Sequence, residues 1–260
     1  MSLSDEQGLS AVTRRLGNSV LLTEQETDFL EDLQTNRAEI EAGTDFVIEG
    51  DEFGATYLVR SGWVMRYRVT PDGKRQIIAF ALPGDVIGLH VNYERHACFT
   101  AAAVTDVELC LIEPIRIIEL YRSHPVIAAG LDWMTVTSFN IVSEHVVSLG
   151  VRPARVRILH LLLELYCRLM AIGMAREDGF DSPLTQTLIG DSLGLTSVYV
   201  SKSLTRLRKE GLVDVKGGNV HFPNIDRAFA AASFDATFLE RFRPRDRLPN
   251  ATDPRLRVEA

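Results

Sequence analysis

Leu184-Thr185-Gln186-Thr187-Leu188-Ile189-Gly190-Asp191-Ser192-Leu193-Gly194-Leu195-Thr196-Ser197-Val198-Tyr199-Val200-Ser201-Lys202-Ser203-Leu204-Thr205-Arg206-Leu207-Arg208-Lys209-Glu210-Gly211-Leu212-Val213 is the stretch that decides the fold. Thr185 is placed to cap a helix whose apolar positions are Leu188, Ile189 and Leu193, Gly194 supplies a tight turn, and Thr196 or Ser197 caps a second helix over 197–209. In that second helix Val200, Leu204 and Leu207 recur at i, i+4 and i+7 and form one buried stripe. At about 100° per residue, Val198, Lys202, Thr205 and Lys209 fall on the opposite side, flanked by Tyr199, Ser201 and Arg206. Residues 212–215 and 220–222 read as strands joined by the turn Lys216-Gly217-Gly218-Asn219. Glycine turn, polar second helix and basic-tipped hairpin together make a winged helix-turn-helix, the arrangement that offers a helix to double-stranded DNA.

The charge follows this division. The chain of 260 residues carries a formal net charge of -7, which suits a nucleic-acid partner poorly until it is split. Residues 1–150 hold 11 Lys/Arg against 22 Asp/Glu, whereas residues 151–222 hold 10 against 7. Phosphates repel the acidic half and attract the second, so the acidic half should face away from DNA. The composition, 46% hydrophobic, suits a globular chain with real cores. No uninterrupted apolar run approaches a membrane span and the N-terminus lacks a signal-peptide core, so the expectation is a cytoplasmic protein with no membrane partner. Cys98, Cys110 and Cys167 are scattered without a CxxC pair and read as buried free thiols, with no metal site.

Upstream, short strand-like runs alternate with turns: 45–48, 55–60, 62–69, 75–80, 86–89, 100–104 and 107–112, separated by Glu49-Gly50-Asp51, Pro71-Asp72-Gly73 and Pro83-Gly84-Asp85. This spacing predicts a barrel or jelly roll, preceded by a capped helix from Thr23 to Leu33. From His124-Pro125 the period becomes helical and runs to Leu149, closed by Gly150. Ile127, Leu131, Met134, Ile141, His145 and Leu149 lie near one stripe that suits a dimer seam; the blander reading packs this helix only on its own roll. A further helix over 153–170 leads to the winged module. The division is therefore an N-terminal segment 1–22, a β-roll 23–122, a dimerisation helix 123–150, a winged helix-turn-helix 151–225 and an extension 226–260. In that extension 228–242 reads as one amphipathic helix and 243–260 as flexible. The fold class is α+β.

Roll, long helix and winged helix in this order resemble the Crp/Fnr superfamily of bacterial transcription regulators. The carriers are Gly50, Tyr57-Leu58-Val59-Arg60-Ser61-Gly62-Trp63-Val64, Leu82-Pro83-Gly84-Asp85 and residues 184–213, while Arg75-Gln76-Ile77-Ile78-Ala79-Phe80 is similar to the Fnr/FixK side. The resemblance implies a cyclic-nucleotide-binding-type β jelly roll, a homodimer through helix 123–150, a palindromic inverted-repeat operator and contact with RNA polymerase. It also locates departures. Cyclic-nucleotide binders of this kind carry a glutamate for the ribose and an arginine for the phosphate. Here no glutamate follows Gly88, and Phe99 stands at the arginine's place. A phosphate would lack its bidentate partner, so cyclic AMP is not expected as ligand. The iron-sulfur sensor uses N-terminal cysteines, and residues 1–97 contain none. Carbon-monoxide sensors place a haem-ligating histidine near His90, which makes His90 the haem candidate, with His96 no better placed and the second ligand not evident. A redox role for a cysteine requires an exposed, electropositive thiol.

In family terms the start of the recognition helix reaches base edges, here Ser197, Val198 and Lys202, with Ser201 between. Tyr199, Thr205, Arg206 and Arg208 are expected on phosphates. Relatives commonly carry glutamate at the Val198 position and arginine at the Lys202 position. Glutamate accepts from cytosine whereas valine only touches a thymine methyl, so the preferred half-site should differ. The competing function is a ligand- or haem-sensing roll whose helix-turn-helix serves protein contact. An enzyme built on Asp72, Asp85, His90, Glu94 and His96 has no nucleophile elbow, phosphate loop or metal-spaced motif behind it.

Overall fold

The computed structural model describes residues 9–17, 19–52, 54–89 and 96–240. Two short helices open it, α1 (Ala11–Gly17) and α2 (Glu24–Asp32). The expected capping box of α2 is present: Glu26 N donates to Thr23 Oγ1 at 3.3 Å and Thr23 N donates to Glu26 Oε2 at 2.8 Å. α1 was not anticipated in the N-terminal segment. It buries Val12 and Leu16 in an apolar cluster with Leu30, Leu120 and Leu131.

Eight strands follow: β1 (Arg37–Ile40), β2 (Asp45–Val47), β3 (Thr56–Ser61), β4 (Val64–Val69), β5 (Arg75–Ala81), β6 (Val86–Ile87), β7 (Thr100–Ala103) and β8 (Val107–Ile112). They form two antiparallel four-stranded sheets with orders β1-β8-β3-β6 and β2-β7-β4-β5, a double-sheet roll. β1 escaped the sequence reading because it alternates charged and apolar residues only half-buried at an edge, Arg37 opposite Cys110 and Glu39 opposite Glu108. The second sheet is covered on both faces. Val64 packs inward with Val59, Ile87 and Ala101, while its neighbour Met65 turns out toward the C-terminal helices.

α3 (Pro114–Ser123) leads into α4 (Pro125–Val151), with His124 at its N-cap and Pro125 in the first turn as expected. α4 does not stop at Gly150. It continues to Val151 and ends at Arg152, whose ψ of 141° is the extended conformation that the following Pro153 imposes. The expected seam stripe is also reassigned. Ile127, Leu131, Met134, Ile141 and His145 are all buried within the chain, packed on the roll or on α5 (Ala154–Met170). The open face instead carries Val136, Phe139 (70% exposed), Val146, Val147 and Val151. A helix apolar on both sides gives no single stripe in sequence, so periodicity alone could not say which side was free. By length and composition α4 could also cross a bilayer, against the expectation that no segment reaches that size. Its buried flank and the ionic partners of His145 account for it as a packed helix.

The C-terminal module comprises β9 (Gly179–Asp181), α6 (Gln186–Leu193), α7 (Ser197–Lys209), β10 (Asp214–Lys216), β11 (Asn219–His221), α8 (Ile225–Ala232) and α9 (Thr237–Glu240). The wing is narrower than read from sequence, since Leu212 and Val213 are core residues, and it gains β9 on the far side of β11. The single helix expected over 228–242 is two. Asn224 Oδ1 accepts from Arg227 N to start α8, and Ser233 in the left-handed region (φ 47°) ends it. Phe234 then packs on Phe229, Phe238 and His160, tying α8 and α9 to α5. The segment 243–260 lies outside the described residues. Of the thiols, Cys110 is buried, Cys167 is half-buried and Cys98 is exposed, contrary to the expectation for Cys98.

Candidate nucleic-acid interface

Local chemistry builds the helix pair. Thr185 Oγ1 accepts from Leu188 N and caps α6; Thr196 Oγ1 accepts from Tyr199 N at 3.2 Å, so Thr196 rather than Ser197 caps α7. Gly194, at φ 64° and ψ 39°, ends α6 in a conformation that costs an L side chain about 1 kcal/mol or more. Gly190 is required for a different reason: a Cβ there would lie 2.4 Å from Leu195 O, so the turn can fold back only over a bare backbone.

Val200, Ser203 and Leu207 form the buried side of α7, with Leu204 half-buried against the same core. Ser203 was not on the expected stripe, but it lies between the three apolar positions on the same face. The opposite side is open: Ser197, Val198 (63% exposed), Tyr199, Lys202, Thr205, Arg206 and Arg208 are exposed, and Ser201 is half-buried. The predicted contact residues thus share one solvent-facing surface. Thr205 Oγ1 donates to Ser201 O, and Arg206 Nε donates to Glu210 Oε1 at 3.0 Å, so these two side chains are already engaged by their own helix. Exposed Lys209 and Lys216 widen the cationic surface toward the wing. A side chain that reaches a groove must be clear of the core and able to hydrogen-bond or to touch a thymine methyl, and the exposed residues of this face meet that condition.

The module is fixed to the roll from behind. Arg75 on β5 donates from Nε and Nη2 to Asp191 Oδ2 at 2.9 and 2.7 Å, and Gln76 Nε2 donates to Ser192 O at 3.0 Å. Deeper, Arg168 on α5 reaches Asp85 Oδ2 (2.6 Å), Phe80 O (2.9 Å) and Glu164 Oε1 (2.9 Å). Asp85 also pairs with Arg15 of α1 and accepts from Leu82 N at 2.7 Å. His145 of α4 has Nε2 2.5 Å from Glu164 Oε2 and Nδ1 3.2 Å from Ile78 O. Both ring nitrogens face acceptors, which is the imidazolium pattern. Burial by itself would depress the His145 pKa, but the Glu164 carboxylate outweighs it and the pKa is raised. Glu164 responds conversely: burial opposes its charge, yet His145 and Arg168 hold its pKa below the ordinary carboxylate value. Apart from the i,i+4 pair Glu164–Arg168, these ties carry no periodic signal in sequence, since Arg75–Asp191 and Asp85–Arg168 join residues 116 and 83 positions apart.

In the roll, Leu89 is buried in the apolar cluster that holds Leu58 and Ile112, and Phe99 lies beneath the Arg66 guanidinium, whose carbon is 5.4 Å from the ring centroid. His90 and Glu94 lie outside the described residues; His96 forms an isolated bridge with Glu52. No group of three or more His, Cys, Asp or Glu is placed to hold a metal ion among the described residues.

Residues 37–124 match the family model of the cyclic nucleotide-binding domain, and residues 156–227 match that of the Crp-like helix-turn-helix domain. The chain is similar to the nitrogen fixation regulation protein FixK of Bradyrhizobium diazoefficiens, at 29% identity over 76% of this chain and 82% of that protein. It is 32% identical to electron transport regulator A of Shewanella oneidensis, over 75% of this chain and 78% of the relative. Its fold is similar to that of FixK2 from Bradyrhizobium japonicum, with a TM-score of 0.67 at 28% identity, covering 75% of this chain and 96% of that one. Two matching domains in the same order as the roll and the helix pair, with relatives that span most of both, establish the chain as a member of the Crp/Fnr family, a transcription regulator with a helix-turn-helix DNA-binding domain.

Proposed function

We propose that the protein acts as a homodimer that sets α7 of each protomer into successive major grooves of an inverted-repeat operator, about 34 Å apart, and from there contacts RNA polymerase. The observation that carries this reading is the split of α7 into one face locked in the core and one open face bearing Ser197, Val198, Lys202 and Arg208. The dimer is assigned to the open side of α4. Val136, Phe139, Ser143, Val146 and Gly150 recur there at steps of three and four, the spacing of a coiled-coil seam, and Gly150 leaves room for close approach at the end. Lys202 gives a guanine preference, and Val198 offers a methyl contact in place of a hydrogen bond to cytosine.

The reading assigns the roll neither cyclic AMP nor an iron-sulfur cluster. Leu89 and Phe99 occupy the places of the ribose glutamate and the phosphate arginine, and the first cysteine is Cys98. His90 alone does not make a haem site. The experiment is selection of binding sites from a random DNA pool with purified protein, followed by salt-dependent affinity measurements. The expected result is a two-fold symmetric site, with Lys202→Ala losing sequence selectivity by about 10-fold or more while remaining dimeric. Recovery of no symmetric site, or only salt-insensitive binding, would sink the reading and favour a protein-contact role for the helix pair.

A further inference from the structure

A carboxylate stands inside the cationic surface at the end of α7. Glu210 is the C-cap of that helix, and its Oε1 accepts from Arg206 Nε, four residues earlier, at 3.0 Å. Its Oε2 pairs with Arg155 in the first turn of α5, and its backbone O accepts from Arg227 Nη2 of α8 at 3.4 Å. Three helices thus bring a guanidinium group to one residue. Arg206 and Arg227 are exposed, whereas Arg155 and Glu210 are half-buried.

Helix stability does not account for this arrangement. A negative side chain is disfavoured at a helix C-terminus and a positive one at an N-terminus, so Glu210 and Arg155 each sit at the wrong end of their helix and offset that cost by pairing. Among Arg206, Arg208, Lys209 and Lys216, a carboxylate also opposes the approach of a polyanion. What Glu210 supplies is an acceptor pair for Arg155 and Arg206 of the kind a phosphate would supply, since carboxylate and phosphate oxygens meet the same planar guanidinium fork. Arg206 lies four residues beyond Lys202, about 6 Å along the axis and on nearly the same side, so seating α7 deeply enough for Lys202 to reach a base brings Arg206 toward the flanking backbone. An exposed i,i+4 ion pair such as Arg206–Glu210 is weak enough to be exchanged there.

We propose, resting on the reading of α7 as the helix seated in the major groove, that Glu210 determines specificity as a built-in stand-in for a DNA phosphate. On a non-cognate duplex, where α7 is held by phosphates and not seated on base edges, Arg206 stays on Glu210 and adds nothing to affinity. On the operator a backbone phosphate takes Arg206 from the carboxylate, so one ionic contact is made only with the correct sequence. Arg155 keeps Glu210 tied to α5 during the exchange, and the released carboxylate does not follow the arginine into the groove. Glu210 is therefore a positioning residue, which touches no DNA and decides when Arg206 does.

The test is a salt titration of binding by the full chain to two duplexes of equal length, the site recovered from the random pool and a scrambled version of it. Glu210→Gln should bind the scrambled duplex about 3- to 10-fold more tightly than wild type, with a log–log salt slope steeper by about 0.9, the value of one added phosphate contact. Its operator affinity should change by less than about 2-fold, so the preference for the operator shrinks. Arg206→Gln should weaken operator binding by about 3- to 10-fold and change scrambled-duplex binding by less than about 2-fold, whereas in the Glu210→Gln background it should cancel the gain on the scrambled duplex. Equal gains on both duplexes for Glu210→Gln, or no gain on either, overturn the proposal, as does equal weakening on both for Arg206→Gln. Should Glu210→Gln fail to fold, the comparison of Arg206→Gln on the two duplexes decides alone. Wild-type protein that does not prefer its site over the scrambled duplex defeats the reading of α7 as well, whereas a preference that Glu210→Gln leaves intact defeats this inference only.

Discussion

Asp85→Asn removes one negative charge and almost no volume from the point where roll, α1 and α5 meet. Asp85 pairs with Arg15 and Arg168, whose buried guanidinium groups lose their shared counter-charge in the variant. Arg168 keeps Glu164 and Phe80 O, so most of the loss falls on Arg15, whose pKa burial and the neighbouring Arg168 already lower to about 9. Breaking a buried ion pair by removing one partner typically costs about 3–5 kcal/mol, and the retained amide oxygen argues for the lower end. At about 2–4 °C per kcal/mol for a chain of this size, Tm should fall by about 6–12 °C. The assay is denaturant unfolding combined with a cycle on Arg15→Met. If the charges act as a unit, Asp85→Asn should cost at least about 1 kcal/mol less in the Arg15→Met background than in wild type. Additive losses, or a Tm shift below about 2 °C for the single variant, would refute the claim that this corner is an ionic joint.

Phe139→Asp should abolish the dimer. Burying two copies of the exposed ring is worth about 3–6 kcal/mol, so sedimentation should show the dissociation constant raised by at least about 100-fold, with unfolding of the monomer unchanged. Gly190→Ala should destabilise the helix pair by about 1–3 kcal/mol, since the new Cβ meets Leu195 O, and operator affinity should fall with it in a calorimetric comparison. His160 should make the protein acid-labile. Burial and Arg152 lower its pKa to about 4, so the unfolded chain takes up a proton near pH 6.5 that the folded one refuses. The stability is complete above pH 6.5 and is lost as pH falls toward 4, by about 3 kcal/mol at most. His160→Leu should flatten that limb of a pH–stability curve, and an unchanged slope would assign the acid sensitivity elsewhere.

What the sequence carried was local. Thr185, Gly194 and Thr196 set the turn between α6 and α7 through hydrogen bonds and a left-handed backbone within ten or so residues, and such features are readable one segment at a time. The same holds for the strands bounded by Gly-Asp and Pro-Asp-Gly corners. What it concealed depended on the partner surface. β1 and β9 are edge strands whose pattern is too weakly apolar to register until β8 and β11 pair with them. The free face of α4 was misassigned because Met134 and Phe139 are equally apolar and only packing separates them. Ser203 joined the core of α7 for the same reason, a small residue filling a place between larger ones.

The long-range ties bear directly on how DNA is presented. α6 is held on its outer side by Arg75 and Gln76 of β5, and α7 packs against α6, so the orientation of the recognition helix is set by the roll's second sheet. The same sheet contributes Phe80 O and Ile78 O to the buried network that reaches α4 and α5. That network and the ties that hold α6 thus rest on one sheet. In a dimer whose two α7 helices must match grooves one turn apart, a shift of the sheet relative to α4 changes the spacing twice, once in each protomer. β5 is thus the element that fixes α6 to the roll, and a substitution that loosens Arg75–Asp191 should weaken operator binding while leaving every residue of the reading face intact.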